Sequence, residues 1–164
     1  MRRVFAIVAL SVIFFSGCKA EEPKATLKEP VVMVYTMNTE FEDGLQLEEK
    51  WTIEGWDNDH LSKTTAQYTY KFGDLTAWTD YINGLEETLD QRIAMLQGPE
   101  GSDYIILEYL VDGDQLVATE TTDYEQAEKN QKGIMMHDVL EDGMYYSMSE
   151  LCDNFKAYGY TLQD

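Results

Sequence analysis

The chain has 164 residues, a formal net charge of −19 at pH 7 and a hydrophobic fraction of 44%. This length and hydrophobic content suffice for a single domain with a sizeable core. Contacts with nucleic-acid phosphates require a basic patch, which a chain this acidic is not expected to have. An anionic lipid leaflet would repel the chain for the same reason. We therefore expect no nucleic-acid partner.

Residues 1–17 have the pattern of a bacterial lipoprotein signal peptide. Two arginines precede an apolar run, Val4 to Phe15, which is interrupted only by Ser11 and is followed by Ser16, Gly17 and Cys18. As a helix this run would span about 18 Å, well short of the roughly 30 Å hydrocarbon core of a membrane. We interpret residues 1–17 as a signal that is removed and Cys18 as the site of lipid attachment.

A lipid on Cys18 would anchor the domain outside the cytoplasmic membrane. Diacylation of a cysteine supplies the two chains that stable anchoring needs, so we expect the protein on the cell membrane or the outer membrane, facing the periplasm or the exterior. The alternative is an ordinary secretory signal with an incidental cysteine. Residues 18–30 contain two prolines, mixed charges and no aromatic residue, which is typical of a flexible tether.

The folded domain is predicted to begin at Val31 with three antiparallel strands. The segment from Val31 to Phe41 is rich in β-branched and aromatic residues, and Asp43-Gly44 predicts a tight turn. In the next two segments apolar and polar side chains alternate, which predicts half-buried strands. Their apolar faces comprise Leu45, Leu47, Trp51 and Ile53 in the first segment and Ala66, Tyr68, Tyr70 and Phe72 in the second.

A change to helical periodicity predicts a long amphipathic helix after the three strands. Apolar positions recur at steps of three and four residues, and Gly98-Pro99 ends the pattern. Gly84 lowers helix stability by about 1 kcal/mol relative to alanine, so we expect the helix to pack closely on the sheet there. The apolar stripe comprises Trp78, Tyr81, Ile82, Leu85, Leu89, Ile93 and Leu96.

The remainder of the chain predicts a second hairpin and a closing helix. The segment from Tyr104 to Val111 is almost wholly apolar, which favours a central strand, and Asp112-Gly113 predicts the turn into a strand over Gln115 to Thr122. Ser147 and Glu150 have the spacing of a capping box. The apolar face of the helix that follows comprises Met148, Leu151, Cys152, Phe155 and Tyr158.

The predicted order of elements is strand-strand-strand-helix-strand-strand-helix. Strands that follow one another along the chain favour antiparallel pairing, and amphipathic helices need an apolar layer to cover. We therefore predict a single α+β domain over residues 31–164. It is a two-layer sandwich with an antiparallel sheet of about five strands and helices packed on one face. Residues 123–142 give no clear pattern beyond a short helix at their start.

Several segments of the chain share their spacing with a known family. They are the cysteine motif at Cys18, Tyr68-Thr69-Tyr70-Lys71-Phe72, Asp103-Tyr104-Ile105-Ile106, Thr122-Asp123-Tyr124 and the closing helix with Tyr158-Gly159-Tyr160. In these segments the chain resembles the YehR-like family of small bacterial lipoproteins. The resemblance implies an envelope lipoprotein with an α+β domain. It implies no site residues, because the family has no established activity.

The sequence contains none of the common catalytic motifs. Gly-x-Ser-x-Gly, His-Glu-x-x-His, Cys-x-x-Cys and the phosphate-binding loop are all absent, and two histidines leave little for nucleophilic catalysis. Cys152 lies on an apolar helical face, where a small buried side chain is a simpler interpretation than a reactive thiol. We therefore expect no enzymatic activity, no catalytic residue and no cofactor.

Two segments offer metal ligands. Asp57 and Asp59 lie in an oxygen-rich loop that could meet Ca²⁺, although the positions after them do not match an EF-hand. Met135, Met136 and His137 combine thioethers with imidazole, which suit Cu(I). The simpler interpretations are a polar turn and a core segment with gap-filling methionines. Handling of copper or calcium is therefore the alternative function.

Aromatic residues are the candidates for a binding surface. Trp56, Tyr145 and Tyr146 fall near predicted turns, so we expect their side chains to be exposed. Exposed rings among acidic residues would suit a peptide, a glycan or a partner protein of the envelope. The sequence thus favours a lipid-anchored, non-enzymatic envelope protein with a binding or interaction domain.

Overall fold

The computed structural model describes residues 18–20, 29–41, 44–73, 75–98, 102–130 and 144–163. The predicted tether beyond residue 20, up to residue 28, lies outside them. Within the described residues the elements are, in chain order, β1 (Cys18–Ala20), β2 (Pro30–Glu40), β3 (Gln46–Trp56), β4 (Leu61–Lys71), α1 (Leu75–Leu96), β5 (Ile105–Asp112), β6 (Gln115–Asp123), α2 (Tyr124–Lys129), β7 (Met144–Tyr146), α3 (Met148–Ala157) and β8 (Thr161–Leu162).

In the described part of the chain the main sheet has six strands in the order β5-β6-β4-β3-β2-β8, and every neighbouring pair is antiparallel. The predicted α+β class and the antiparallel sheet are confirmed. The sheet gains a sixth strand because the chain returns after α3 and β8 pairs with Tyr35 and Thr36 of β2. A separate pair joins β1 to β7, with the backbone of Cys18 opposite Tyr146.

One face of the main sheet is apolar and carries the helices. The strand register places Tyr35, Trp51 and Ala66 side by side across β2, β3 and β4, and all three are buried. Their neighbours on the opposite face, such as Lys50 and Gln67, are exposed. The predicted two-residue alternation in β3 and β4 is therefore confirmed, since it separates the core face from the solvent face.

The helix α1 covers the half of the apolar face that is formed by β5, β6 and the end of β4. Its stripe is confirmed, because Ile82, Leu85 and Leu89 are buried in the core. Gly84 is exposed, and beyond its chain neighbours and the nearby backbone of its own helix no atom lies within 4 Å of a Cβ added to it. The expectation that Gly84 marks close packing on the sheet is therefore wrong. None of the described helices has the length and hydropathy to span a bilayer.

The helix α3 covers the β2–β3 half of the same face. The ring of Phe155 lies 5.3 Å from that of Tyr35 and 5.0 Å from that of Trp51, between centroids. Ser147 is the N-cap of α3, and its Oγ accepts a hydrogen bond from the backbone N–H of Glu150 at 3.2 Å. The predicted helix start is thus confirmed, and so is burial of the four apolar residues from Met148 to Phe155. The predicted burial of Tyr158 is wrong, because Tyr158 is the C-cap residue, where the helix ends, and is 63% exposed.

The strand β5 lies at the edge of the sheet rather than in its centre. Among the described strands it pairs only with β6. Ile106 and Leu110 point to the open face and are 57% and 66% exposed, whereas Leu107 is buried under α1. The prediction of a central strand is therefore wrong, because an apolar run indicates burial on both faces only when neighbouring strands and helices supply that burial.

Candidate functional site: a groove between β2 and α3

A groove of about 360 Å³ lies between β2, the start of α3 and the turn that joins β3 to β4. Its volume falls within the range of small-molecule sites. Apolar and sulfur-bearing side chains form one part of its lining and carboxylates another. The apolar part includes Val31, Met33, Trp56, Met148 and Cys152, and the charged part is Asp57, Asp59, Asp153 and Lys156.

The turn from β3 to β4 brings its two aspartates to this groove. Asp59 has a φ of +73°, a left-handed conformation that aspartate tolerates better than most residues. The backbone N–H of Trp56 donates to the carbonyl of His60 at 2.9 Å and closes the turn. Asp57 is exposed at its tip.

Asp59 fastens this turn to the start of α3. Its Oδ1 accepts a hydrogen bond from the backbone N–H of Ser149 at 2.7 Å, and its Oδ2 accepts one from Ser147 Oγ at 2.8 Å. The positive end of the helix dipole also stabilises a carboxylate at this position. One wall of the groove is therefore held in place by a charged side chain that is distant in sequence from the helix.

These contacts bear on the calcium hypothesis. Both carboxylate oxygens of Asp59 are engaged with α3, and the described part of the chain contains no group of three or more His, Cys, Asp or Glu side chains that could hold a metal ion. The copper candidates Met135, Met136 and His137 lie outside the described residues.

Sulfur atoms meet on the buried side of the groove. The thiol of Cys152 donates to Met33 Sδ at 3.5 Å, and Met148 lines the same groove. Burial raises the pKa of the Cys152 thiol, and a hydrogen bond with Tyr35 opposes that shift. Cys152 is therefore a buried, protonated side chain at neutral pH, as its place on the apolar helical face predicts.

Of the three predicted binding aromatics, only Trp56 reaches the groove. It is partly buried, and its Nε1 donates to Glu125 Oε1 of α2 at 2.8 Å. Tyr145 and Tyr146 are 8% and 5% exposed, so the expectation that both are exposed is wrong. Tyr145 stacks on His60 and Tyr146 packs edge-on against Tyr124.

A second polar cluster, formed by His60 and Glu128, supports the back of this region. His60 Nε2 lies 2.6 Å from Glu128 Oε2, and Glu128 Oε1 accepts from the backbone N–H of Tyr146 at 2.9 Å. The cluster joins the β3–β4 turn to α2 and β7. The sequence gives no local signal for it, because 68 residues separate His60 from Glu128.

Sequence reasoning also missed a buried carboxyl group in the core. Glu49 is 5% exposed, and its Oε2 accepts a hydrogen bond from the hydroxyl of Tyr160 at 2.6 Å. Burial raises the pKa of Glu49, and the Tyr160 hydrogen bond opposes that shift. A signal was present, since alternation places Glu49 between Leu47 and Trp51 on the apolar face of β3.

Comparisons with known proteins add little to this geometry. No family model matches the chain, and no curated protein matches it significantly. One solved structure is similar to it, the NMR structure of a protein from Streptococcus pneumoniae TIGR4. The two are 19% identical, the match covers 92% of this chain and 94% of the other, and the TM-score is 0.44.

We predict that deprotonation of Glu49 lowers the free energy of unfolding as the pH rises. Its folded-state pKa lies above the ordinary value of 4.5, so between these two values the folded state binds more protons than the unfolded state. The free energy of unfolding then falls as pH increases through that window. Glu49→Gln cannot titrate, so its stability relative to the parent should rise across the window and then level off.

Urea unfolding at fixed ionic strength, from about pH 4 to about pH 7, measures this difference. Glu48→Gln is the matched control, since Glu48 is the exposed neighbour on the other face of β3 and its replacement changes the net charge equally. A stability difference between Glu49→Gln and the parent that does not depend on pH would contradict the prediction.

Proposed function

We propose that this chain is a lipid-anchored protein of the cell envelope whose domain binds a ligand in the groove between β2 and α3. The sequence that ends at Cys18 supports the anchor. One observation carries the binding half of the proposal. It is the combination of a partly apolar groove with a carboxylate-rich rim, which is the usual composition of a site that selects by both shape and charge.

The groove favours a ligand with an apolar body and a positive charge. Asp57, Asp59 and Asp153 outnumber Lys156, which itself forms an ion pair with Asp153 at 3.1 Å. Met33 and Trp56 offer contact area to aliphatic or aromatic groups. A peptide segment with basic and apolar side chains fits both features, whereas phosphorylated or acidic ligands would meet like charge.

The chemistry of the groove supports binding rather than catalysis. Nucleophilic catalysis needs an activated nucleophile with an adjacent base. Cys152 is buried and protonated, and no histidine is among the described residues that line the groove. The resemblance to YehR-like lipoproteins is consistent with an envelope location on the cell membrane or the outer membrane.

We predict that Cys18→Ser moves the protein from the membrane fraction to the soluble fraction. Serine cannot form the thioether that carries the lipid, and the acyl chains supply the membrane affinity. Fractionation of cells that express the full chain measures the effect. Cys152→Ser is the control and should stay with the membranes. A Cys18→Ser variant that still sediments with membranes would exclude the anchor.

We predict that the full chain in detergent binds a short synthetic peptide of alternating leucine and lysine and rejects the same peptide with glutamate in place of lysine. Reversing two rim charges, Asp57→Lys with Asp153→Lys, should weaken binding at least about tenfold, which corresponds to about 1.4 kcal/mol. Isothermal calorimetry measures both affinities.

The double variant Asp80→Lys with Glu87→Lys is the matched control for this titration. It changes the net charge equally on α1, where Asp80 and Glu87 are exposed and do not line the groove. Equal weakening in both double variants would show that the peptide responds only to net charge. That result would overturn the groove as the binding site.

A second candidate function is the handling of copper. The sulfur atoms of Cys152 and Met33 lie 3.5 Å apart beside Met148, and Cu(I) prefers thiolate and thioether ligands. Metal binding would displace the thiol proton, whatever the pKa of the free thiol. This site differs from the Met135, Met136 and His137 segment, so variants of the two can separate them.

The copper candidate predicts that the protein competes with a chelator for Cu(I) under anaerobic, reducing conditions. Met33→Leu with Met148→Leu nearly conserves side-chain volume and should weaken Cu(I) affinity at least about tenfold. Met95→Leu is the control, because Met95 is exposed on α1, and Met135→Leu tests the other segment. Failure of the parent protein to compete would exclude copper.

A further inference from the structure

Among the described strands, β5 is an edge with little of the usual protection against pairing. It runs for eight residues, Ile-Ile-Leu-Glu-Tyr-Leu-Val-Asp, in unbroken register with β6. Soluble proteins protect such edges with charged side chains, lysine above all, or with proline, bulges or a covering segment. The charged side chains of this strand are Glu108 and Asp112; it contains no basic residue, proline, glycine or bulge, and no described strand lies along its outer side.

The backbone groups on the outer side of β5 can be assigned from one hydrogen bond. The N–H of Asp123 donates to the carbonyl of Tyr104 at 2.8 Å, just before β5 begins. Hydrogen-bonded and non-hydrogen-bonded pairs alternate along an antiparallel ladder, so the even-numbered residues of β5 bond to β6. The N–H and C=O groups of Ile105, Leu107, Tyr109 and Val111 therefore point to the open side.

We propose that a second copy of this chain supplies the missing strand, so that two β5 strands pair antiparallel about a two-fold axis at Glu108. The outward groups then match in full. Ile105 pairs with the partner's Val111 and Leu107 pairs with the partner's Tyr109, each through hydrogen bonds in both directions. This proposal is independent of the groove between β2 and α3.

The side chains on the open face are self-complementary in this register. Ile106 lies opposite the partner's Leu110, and Leu110 lies opposite the partner's Ile106. These aliphatic residues are 57% and 66% exposed in the single chain, and they occupy non-hydrogen-bonded pairs, in which side chains lie closest. The dimer thus covers the apolar surface that the edge leaves open.

The helix-covered side of the edge offers a matching depression. A groove of about 510 Å³ lies between the end of α1 and the start of β5, with Ile93, Leu96 and Ile105 among its lining residues. The same register brings the partner's Val111 beside Ile105. Val111 is 36% exposed in the single chain, so its side chain gains an apolar neighbourhood on pairing.

The effect of salt on pairing distinguishes a second copy of the chain from a basic peptide as the partner of β5. The two-fold axis places Glu108 opposite the partner's Glu108, and each chain carries a formal net charge of −19. Like charges repel, and salt screens that repulsion, so pairing of two copies should strengthen with ionic strength. Pairing with a basic peptide should weaken with ionic strength.

Cysteine cross-linking in membranes that contain the full chain tests the register. In a non-hydrogen-bonded antiparallel pair the Cα atoms lie about 4.5 Å apart, within the span of a disulfide. Glu108→Cys should therefore give a disulfide-linked dimer on mild oxidation. The parent chain and Lys50→Cys, exposed in the middle of the same face, should stay monomeric on a non-reducing gel.

Two further cysteine variants test the register of the paired strands. Ile106→Cys and Leu110→Cys should cross-link to each other when both are expressed with different tags, and neither should cross-link to itself. Absence of the Glu108→Cys dimer, or self-linking of Ile106→Cys as efficient as the mixed pair, would overturn the proposal.

Sedimentation of the detergent-solubilised full chain tests association without cross-links. The dimer fraction of the parent should rise with salt, and Glu108→Gln should dimerise more tightly at low salt. Leu110→Glu should shift the protein to monomer. Val32→Glu makes a similar change at a residue that is 60% exposed on β2, near the opposite end of the strand order. This variant should leave the dimer intact. A parent that is monomeric at every salt concentration would overturn the proposal.

Discussion

Burial of only one face of the sheet is the constraint on which the other features of this domain depend. The two main helices pack on that face, so each strand needs apolar side chains at alternate positions, as Tyr68 and Tyr70 of β4 show beside the exposed Gln67. Apolar burial supplies most of the stability, at roughly 25 cal/mol per Å² removed from water. The opposite face must stay compatible with water. A strand at the end of such a sheet has backbone groups that pair with no neighbouring strand, and among the described strands β5 combines such an edge with exposed aliphatic side chains.

Polar contacts between elements, some of them buried, fix how the remaining segments sit on this layer. Arg92 of α1 donates to Glu120 of β6 at 2.6 Å, Tyr160 donates to Glu49, and Asp59 holds the start of α3. Burial raises the pKa of Glu120, and the charge and hydrogen bond of Arg92 oppose that shift. Ion pairs and hydrogen bonds in such places contribute modest net stability because the groups lose hydration, but leaving one partner unpaired is costly. They act as constraints on geometry, and the groove between β2 and α3 depends on one of them.

Local periodicity predicted the features that depend on a single strand or helix. It identified which side chains of β4 and α1 face the core, because the alternation and the helical stripe are properties of the segment itself. It failed where position depends on a distant segment. The apolar run of β5 resembles a central strand until the strand order is known, and Tyr145 is buried because it meets His60, far away in sequence. The buried Glu49 was predictable in principle, since it breaks the apolar face of its own strand.

The groove and the β5 edge lie at opposite ends of the sheet, and this separation decides how the two proposals relate. In the order β5-β6-β4-β3-β2-β8, four strand steps separate β5 from β2. With about 4.8 Å between neighbouring strands, pairing through β5 would leave the two grooves roughly 40 Å apart at the outer ends of one continuous sheet. At physiological ionic strength charges are screened over about 8 Å, so carboxylates at one end have little influence on the other. Association and ligand binding would therefore be thermodynamically independent unless a single ligand spans both grooves, in which case the second contact would gain from effective concentration.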